Sequence, residues 1–105
     1  MDLVQLFKGL SDPIRLRVVH LLCQKGELCV CHLTEALSLP QSTISRHLSI
    51  LRNSGLVETE RRGKWVYYSM RDTDCVKTIS SLIKADSVEN ETLQGDLSKL
   101  KNPVC

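Results

Sequence analysis

The chain has 105 residues, 42% of them hydrophobic and 25% charged, with a formal net charge of +2. That length supports one domain burying roughly two thirds of its unfolded surface, and excludes two independent cores or a large catalytic scaffold. The composition excludes collagen-like, low-complexity and wholly disordered chains.

Leu3, Leu6, Phe7 and Leu10 recur at helical spacing and predict a short amphipathic helix. Asp12 before Pro13 supplies the cap and first residue of a second helix, which runs to about Gln24 and stops at Lys25-Gly26. Leu28-Cys29-Val30 reads as extended and leads into a short helix from about Cys31 to Leu37. After the break Ser38-Leu39-Pro40, the residues Ile44, Leu48 and Leu51 form one stripe of a helix from about Gln41 to Asn53. The period then changes. Residues 56–62 and 64–70 are rich in Val, Thr, Tyr and Trp and flank the turn Arg62-Gly63-Lys64, which predicts a β-hairpin. Asp72-Thr73-Asp74 can cap a fifth helix from Cys75 to about Ala85. Residues 1–85 are expected to be the folded domain. Residues 86–105 are expected to be a polar, poorly ordered tail, although Leu93, Leu97 and Leu100 hint at a weak helix.

This order is mainly α with a β-hairpin, that of a winged helix-turn-helix. The charge agrees: residues 41–71 hold six basic side chains against two acidic ones, while residues 1–40 balance. A local basic excess is the footprint of a polyanion-binding surface. Once its stripe is set aside, the fourth helix offers Gln41, Ser42, Thr43, Ser45, Arg46, His47, Ser49 and Arg52, with no acid among them. Gln suits adenine, and Arg46 can meet guanine in two parallel bonds. At the hairpin tip Arg61, Arg62 and Lys64 suit phosphate, although charge there also protects an edge strand. No apolar run approaches the ~18 residues of a membrane span, and Asp2 and Lys8 leave no secretory signal in view, so the cytoplasm is the expected compartment.

Cys23, Cys29, Cys31, Cys75 and Cys105 are odd in number and unevenly spaced, unlike a secreted disulfide framework. One residue separates Cys29 from Cys31. Such side chains point about 200° apart on a helix and to opposite faces of a strand, so neither geometry chelates. A soft ion is therefore expected to grip the pair only by bending the chain where it enters the helix-turn-helix, and buried packing is the alternative. Cys23 is expected to be packing, and Cys75, at a helix start, either reactive or structural. His20 is expected in the core or on the surface, and His32 on the surface.

The segments DPIRLRVVHLL, ELCVCHLTEAL and LPQSTISRHLSILRNSGLVETERRGKWVYYSM together resemble the ArsR/SmtB family of dimeric winged-helix repressors, in its arsenic-responsive branch, over about residues 3–83. The resemblance implies a homodimer packed through the first and last helices, with residues 1–85 serving DNA binding and dimerisation. It places Gln41, Ser42, Thr43, Ser45, Arg46 and His47 at double-stranded operator DNA. It implies that trivalent arsenic or antimony binds Cys29 and Cys31 as inducer, with no required cofactor, catalytic residue, membrane or small-molecule substrate. The departures are specific. Where such relatives commonly carry a third cysteine stands Thr34, so a third sulfur is sought from Cys75, Cys105, Cys23 or a cellular thiol. His32 replaces the usual Asp. Pro40 stands where a helix-start Ser is frequent, so Ser42 is expected to assist the cap. Two other readings are a redox repressor using a Cys23–Cys75 disulfide and a small thiol- or metal-handling protein.

Overall fold

The computed structural model describes residues 2–100. Helices α1 (Leu3–Leu10) and α2 (Pro13–Lys25) meet at Asp12, whose carboxylate accepts from the N–H groups of Ile14 at 2.9 Å and Arg15 at 3.1 Å. Strand β1 (Glu27–Cys29) follows Gly26, whose φ of +88° lets the chain leave α2 with its N–H bonded to the Leu22 carbonyl at 2.8 Å. Next come α3 (Val30–Leu37), α4 (Gln41–Asn53), the hairpin β2 (Val57–Arg62) and β3 (Trp65–Met70), and α5 (Asp74–Ser87). Ile44, Leu48 and Leu51 of α4 are fully buried with Leu21, Leu22 and Leu33, so the stripe docks on α2 and α3 as its spacing requires.

The segment before α3 does more than extend. It is the third strand of an antiparallel sheet ordered β1-β3-β2, with Leu28 opposite Tyr68 and Cys29 opposite Tyr67. The chain carrying the first cysteine is thus hydrogen-bonded to the wing.

The expected poorly ordered tail is corrected over most of its length. Glu91–Lys99 form a further helix, α6, capped by the Asn90 side chain on the Leu93 N–H at 3.1 Å. Its apolar residues find a seat: Leu93 and Leu100 are buried, and the helix packs on α2, α3 and α5. Asp96, 2% exposed, accepts two hydrogen bonds from the Arg17 guanidinium at 2.8 and 2.9 Å, an ion pair across 79 positions of sequence. No local pattern reveals such a partner.

His20 of α2 lies in the core, fully buried, and neither ring nitrogen has a hydrogen-bond partner among the described residues. Burial holds its pKa below the ordinary 6.5, against the opposing pull of the Asp96 charge. Unfolded chains therefore take up the proton first, so this residue costs stability as pH falls below about 6.5 towards the lowered folded value, and nothing ionic above it. His20→Leu, similar in volume and without polar atoms, is expected to raise stability by about 1 kcal/mol at pH 7. It should also flatten the acid limb of the stability curve. Urea unfolding at pH 5 and pH 7 checks both.

Candidate DNA-reading face and thiol site

Helix α4 starts after Pro40 with no side-chain cap, so the help expected from Ser42 is not given. The uncapped N–H groups add partial positive charge to that end. Gln41, Ser42, Arg46, Ser49 and Arg52 are exposed along one face, and Thr43 and Ser45 are half-buried beside them. His47 departs from its expected place at the DNA. It is 4% exposed, its Nδ1 lies 3.2 Å from an Arg15 guanidinium nitrogen and 3.9 Å from an Asp12 carboxylate oxygen, and burial lowers its pKa. Position 47 is three after Ile44 and four before Leu51, so it flanks the apolar stripe; helical spacing could have shown this.

On the wing, Arg62 is committed. It donates to Glu27 at 2.5 and 2.9 Å and to Glu60 at 2.9 Å, lies 4.8 Å from the centre of the Tyr67 ring, and has its pKa raised chiefly by the Glu27 contact. A phosphate reaching Arg62 would compete with these two carboxylates. Lys64 at the turn lies 5.3 Å over the Trp65 ring.

The thiol pair lies where the chain turns from strand to helix. The bend is already built: Cys29 ends β1 and, with φ −94° and ψ 171°, immediately precedes α3, which contains Cys31. Strand geometry before the pair and helix geometry after it bring both sulfurs and a His32 ring nitrogen within 4.8 Å of one another. His32, expected on the surface, is instead 5% exposed, and its Nδ1 accepts the Cys29 N–H at 3.0 Å, fixing the junction. Cys29 is buried and Cys31 half-buried. Both are disulfide-bonded in this structure, so ligation requires their reduction. Two soft thiolates converging on one spot suit a thiophilic metalloid. Thr34 is not a substitute ligand: its hydroxyl donates to the Cys31 carbonyl at 2.9 Å.

The other cysteines sit elsewhere. Cys23 is half-buried against Ser80 and Lys84, with burial raising its pKa, and Cys75 is exposed beside Leu3 and Phe7. Both are free thiols, not the proposed switch disulfide. Cys105 lies outside the described residues. Beside the pair lies a cavity that no sequence motif marks. It has a volume of about 320 Å³ and is lined by Cys29, Cys31 and Thr34 on one side, by Gln41 of α4, and by Lys64, Trp65 and Val66 of the wing.

An exposed polar helix carried on a three-helix core beside a basic hairpin defines a winged helix-turn-helix DNA-binding protein. Residues 12–59 match the family described as "Bacterial regulatory protein, arsR family". The chain is 41% identical over 102 residues to the arsenical resistance operon repressor of Escherichia coli K12, covering 97% of this chain and 87% of that one. Among solved structures it is similar to the homodimeric winged helix-turn-helix domain Mb0332 of Mycobacterium bovis (TM-score 0.70, 30% identity, 82% of this chain and 78% of that one). It is also similar to the AntR antimony-specific transcriptional repressor (TM-score 0.69, 32% identity, 84% and 78%). The chain belongs to the ArsR family and is a DNA-binding transcriptional repressor. No helix among the described residues is long and apolar enough to cross a membrane.

Proposed function

We propose that this chain is a cytoplasmic homodimer that holds operator DNA and releases it when trivalent arsenic or antimony binds the reduced Cys29 and Cys31. The observation that carries the reading is the cavity wall shared by both cysteines, the first residue of the reading helix and the wing turn. A group seated on the sulfurs shares that space with Gln41 and Lys64, so inducer and DNA contend for the same two elements. Gln41, Ser42, Thr43, Ser45 and Arg46 face the groove, and Arg61, Arg62 and Lys64 the backbone. The similarity to repressors named for arsenic and antimony supports the inducer class.

The test is a titration of the reduced protein on operator duplex. Binding should weaken steeply with salt, as counterion release demands, and arsenite should abolish it at fixed salt. A salt slope near zero, or binding indifferent to arsenite, rejects the reading. A second reading, redox control, is favoured by the disulfide-bonded state of Cys29 and Cys31; peroxide alone would then release DNA from the reduced protein.

The dimer has a candidate face. Leu3, Phe7 and Leu82 are 51%, 49% and 65% exposed around one apolar groove between α1 and α5. Leu82→Glu is expected to give a monomer in sedimentation and to weaken operator binding by about 100-fold or more, because two half-sites are no longer held together.

A further inference from the structure

The prebuilt thiol junction raises a question of mechanism: a bare metalloid atom needs neither chain bending nor a cavity of about 320 Å³. That volume falls in the range of small-molecule pockets, roughly 300–1,000 Å³. Three features describe what would fill it. The protein supplies two sulfurs here, Cys29 and Cys31; the free thiols Cys23 and Cys75 do not line the cavity, and Thr34 is turned to the Cys31 carbonyl. The lining also carries a cation, Lys64, and an amide, Gln41. Trp65 and Val66 add apolar surface to the lining.

The geometry points to a mixed inducer: trivalent arsenic held by Cys29, Cys31 and one small carboxylate-bearing thiol, whose body occupies this cavity and whose carboxylate meets Lys64. This rests on the proposed function. The chemistry balances as exchange. An arsenic trithiolate of the small thiol loses two of its three thiols to the cysteines; two As–S bonds break, two form, and the two cysteine protons leave on the departing thiols. Arsenic stays trivalent. The same thiol, in excess, first reduces the cysteines, two small thiols becoming one small disulfide for each protein disulfide opened. Lys64, wanted by DNA phosphate, is then neutralised by the ligand, and Gln41 is covered, so release follows from occupied contacts and needs no backbone distortion.

The probe is glutathione, a tripeptide thiol with two carboxylates, against 2-mercaptoethanol, which has none. Reduced full-length protein is titrated with arsenite in each thiol, and followed by native mass spectrometry and by fluorescence of Trp65, the single tryptophan. Expected are a species carrying one arsenic and one glutathione per subunit, and half-saturation at about tenfold lower arsenite in glutathione. Lys64→Gln should erase that preference while still binding arsenic, a readout independent of its DNA role. The Cys105→Ser variant should bind as the wild type does. Arsenic bound without glutathione, equal affinity in the two thiols, or arsenic binding lost in Cys105→Ser each overturns the mixed complex. In those cases arsenite still frees the operator and the proposed function stands; if arsenite frees no DNA in either thiol, the proposed function itself fails.

Discussion

Serine at both Cys29 and Cys31 is expected to give a repressor that still binds its operator specifically but no longer lets go in arsenite. Coupling between two sites is a free energy of about 1–3 kcal/mol, or roughly 5- to 150-fold in affinity. The ratio of operator affinities without and with arsenite should fall from that range to about 1. The physical reason is narrow. A serine hydroxyl keeps the shape of the side chain with a smaller terminal atom, but it is hard and protonated at neutral pH, with little affinity for a soft metalloid. The junction is expected to survive, because the Cys29 backbone N–H still donates to His32 Nδ1 and a serine hydroxyl can replace the sulfur as acceptor of the His32 backbone N–H in the capping box. Each single serine variant should also lose most of the response, since one thiolate offers no chelate. Fluorescence anisotropy on labelled operator reads all three proteins. Normal release by the double variant defeats the assignment of the inducer to this pair. Reciprocity gives an internal check: operator DNA must weaken arsenite binding by the same factor by which arsenite weakens operator binding.

Much of this site was legible in the sequence, because the signals are local. The α4 stripe of Ile44, Leu48 and Leu51, the Asp12-Pro13 start of α2 and the Arg62-Gly63-Lys64 turn each follow from spacing or backbone preference within a few residues. What was missed depends on contacts far apart in the chain. The pairing of Cys29 with Tyr67 makes the thiol segment a strand, and that strand, ending where α3 begins, is what turns two divergent side chains into a converging pair. The Arg17–Asp96 pair and the burial of Leu93 anchor a helix whose own composition is too polar to announce it. His47 and His32 are buried although polar, and both sit at helical spacing beside apolar neighbours. Gly9 is of the same kind: a Cβ there would stand 2.5 Å from the Ser54 Oγ, a close approach of α1 to the end of α4 that no motif marks.

Arg46→Ala tests the reading face. Arg46 is exposed in the second turn of α4, on the face opposite the buried stripe. A bidentate contact to guanine is worth about 1–3 kcal/mol of discrimination. A symmetric dimer makes it twice, so the variant should lose about 2–6 kcal/mol on its operator, or roughly 30-fold to 20,000-fold in affinity. On a scrambled duplex of equal length the loss should be far smaller, because only backbone attraction is left there to lose. Arg61→Ala supplies the contrast. An exposed wing cation contacting phosphate should weaken both duplexes alike, and should reduce the salt slope by about one for each copy of the wing engaged. Anisotropy titrations of both variants on both duplexes at several salt concentrations separate the two behaviours. If Arg46→Ala lowers operator and scrambled affinity equally, Arg46 is a phosphate contact, and base reading passes to the shorter side chains Gln41, Ser42 and Ser45. Gln41 lines the cavity shared with the cysteines, so in that case the inducer would be set directly against a residue that reads sequence.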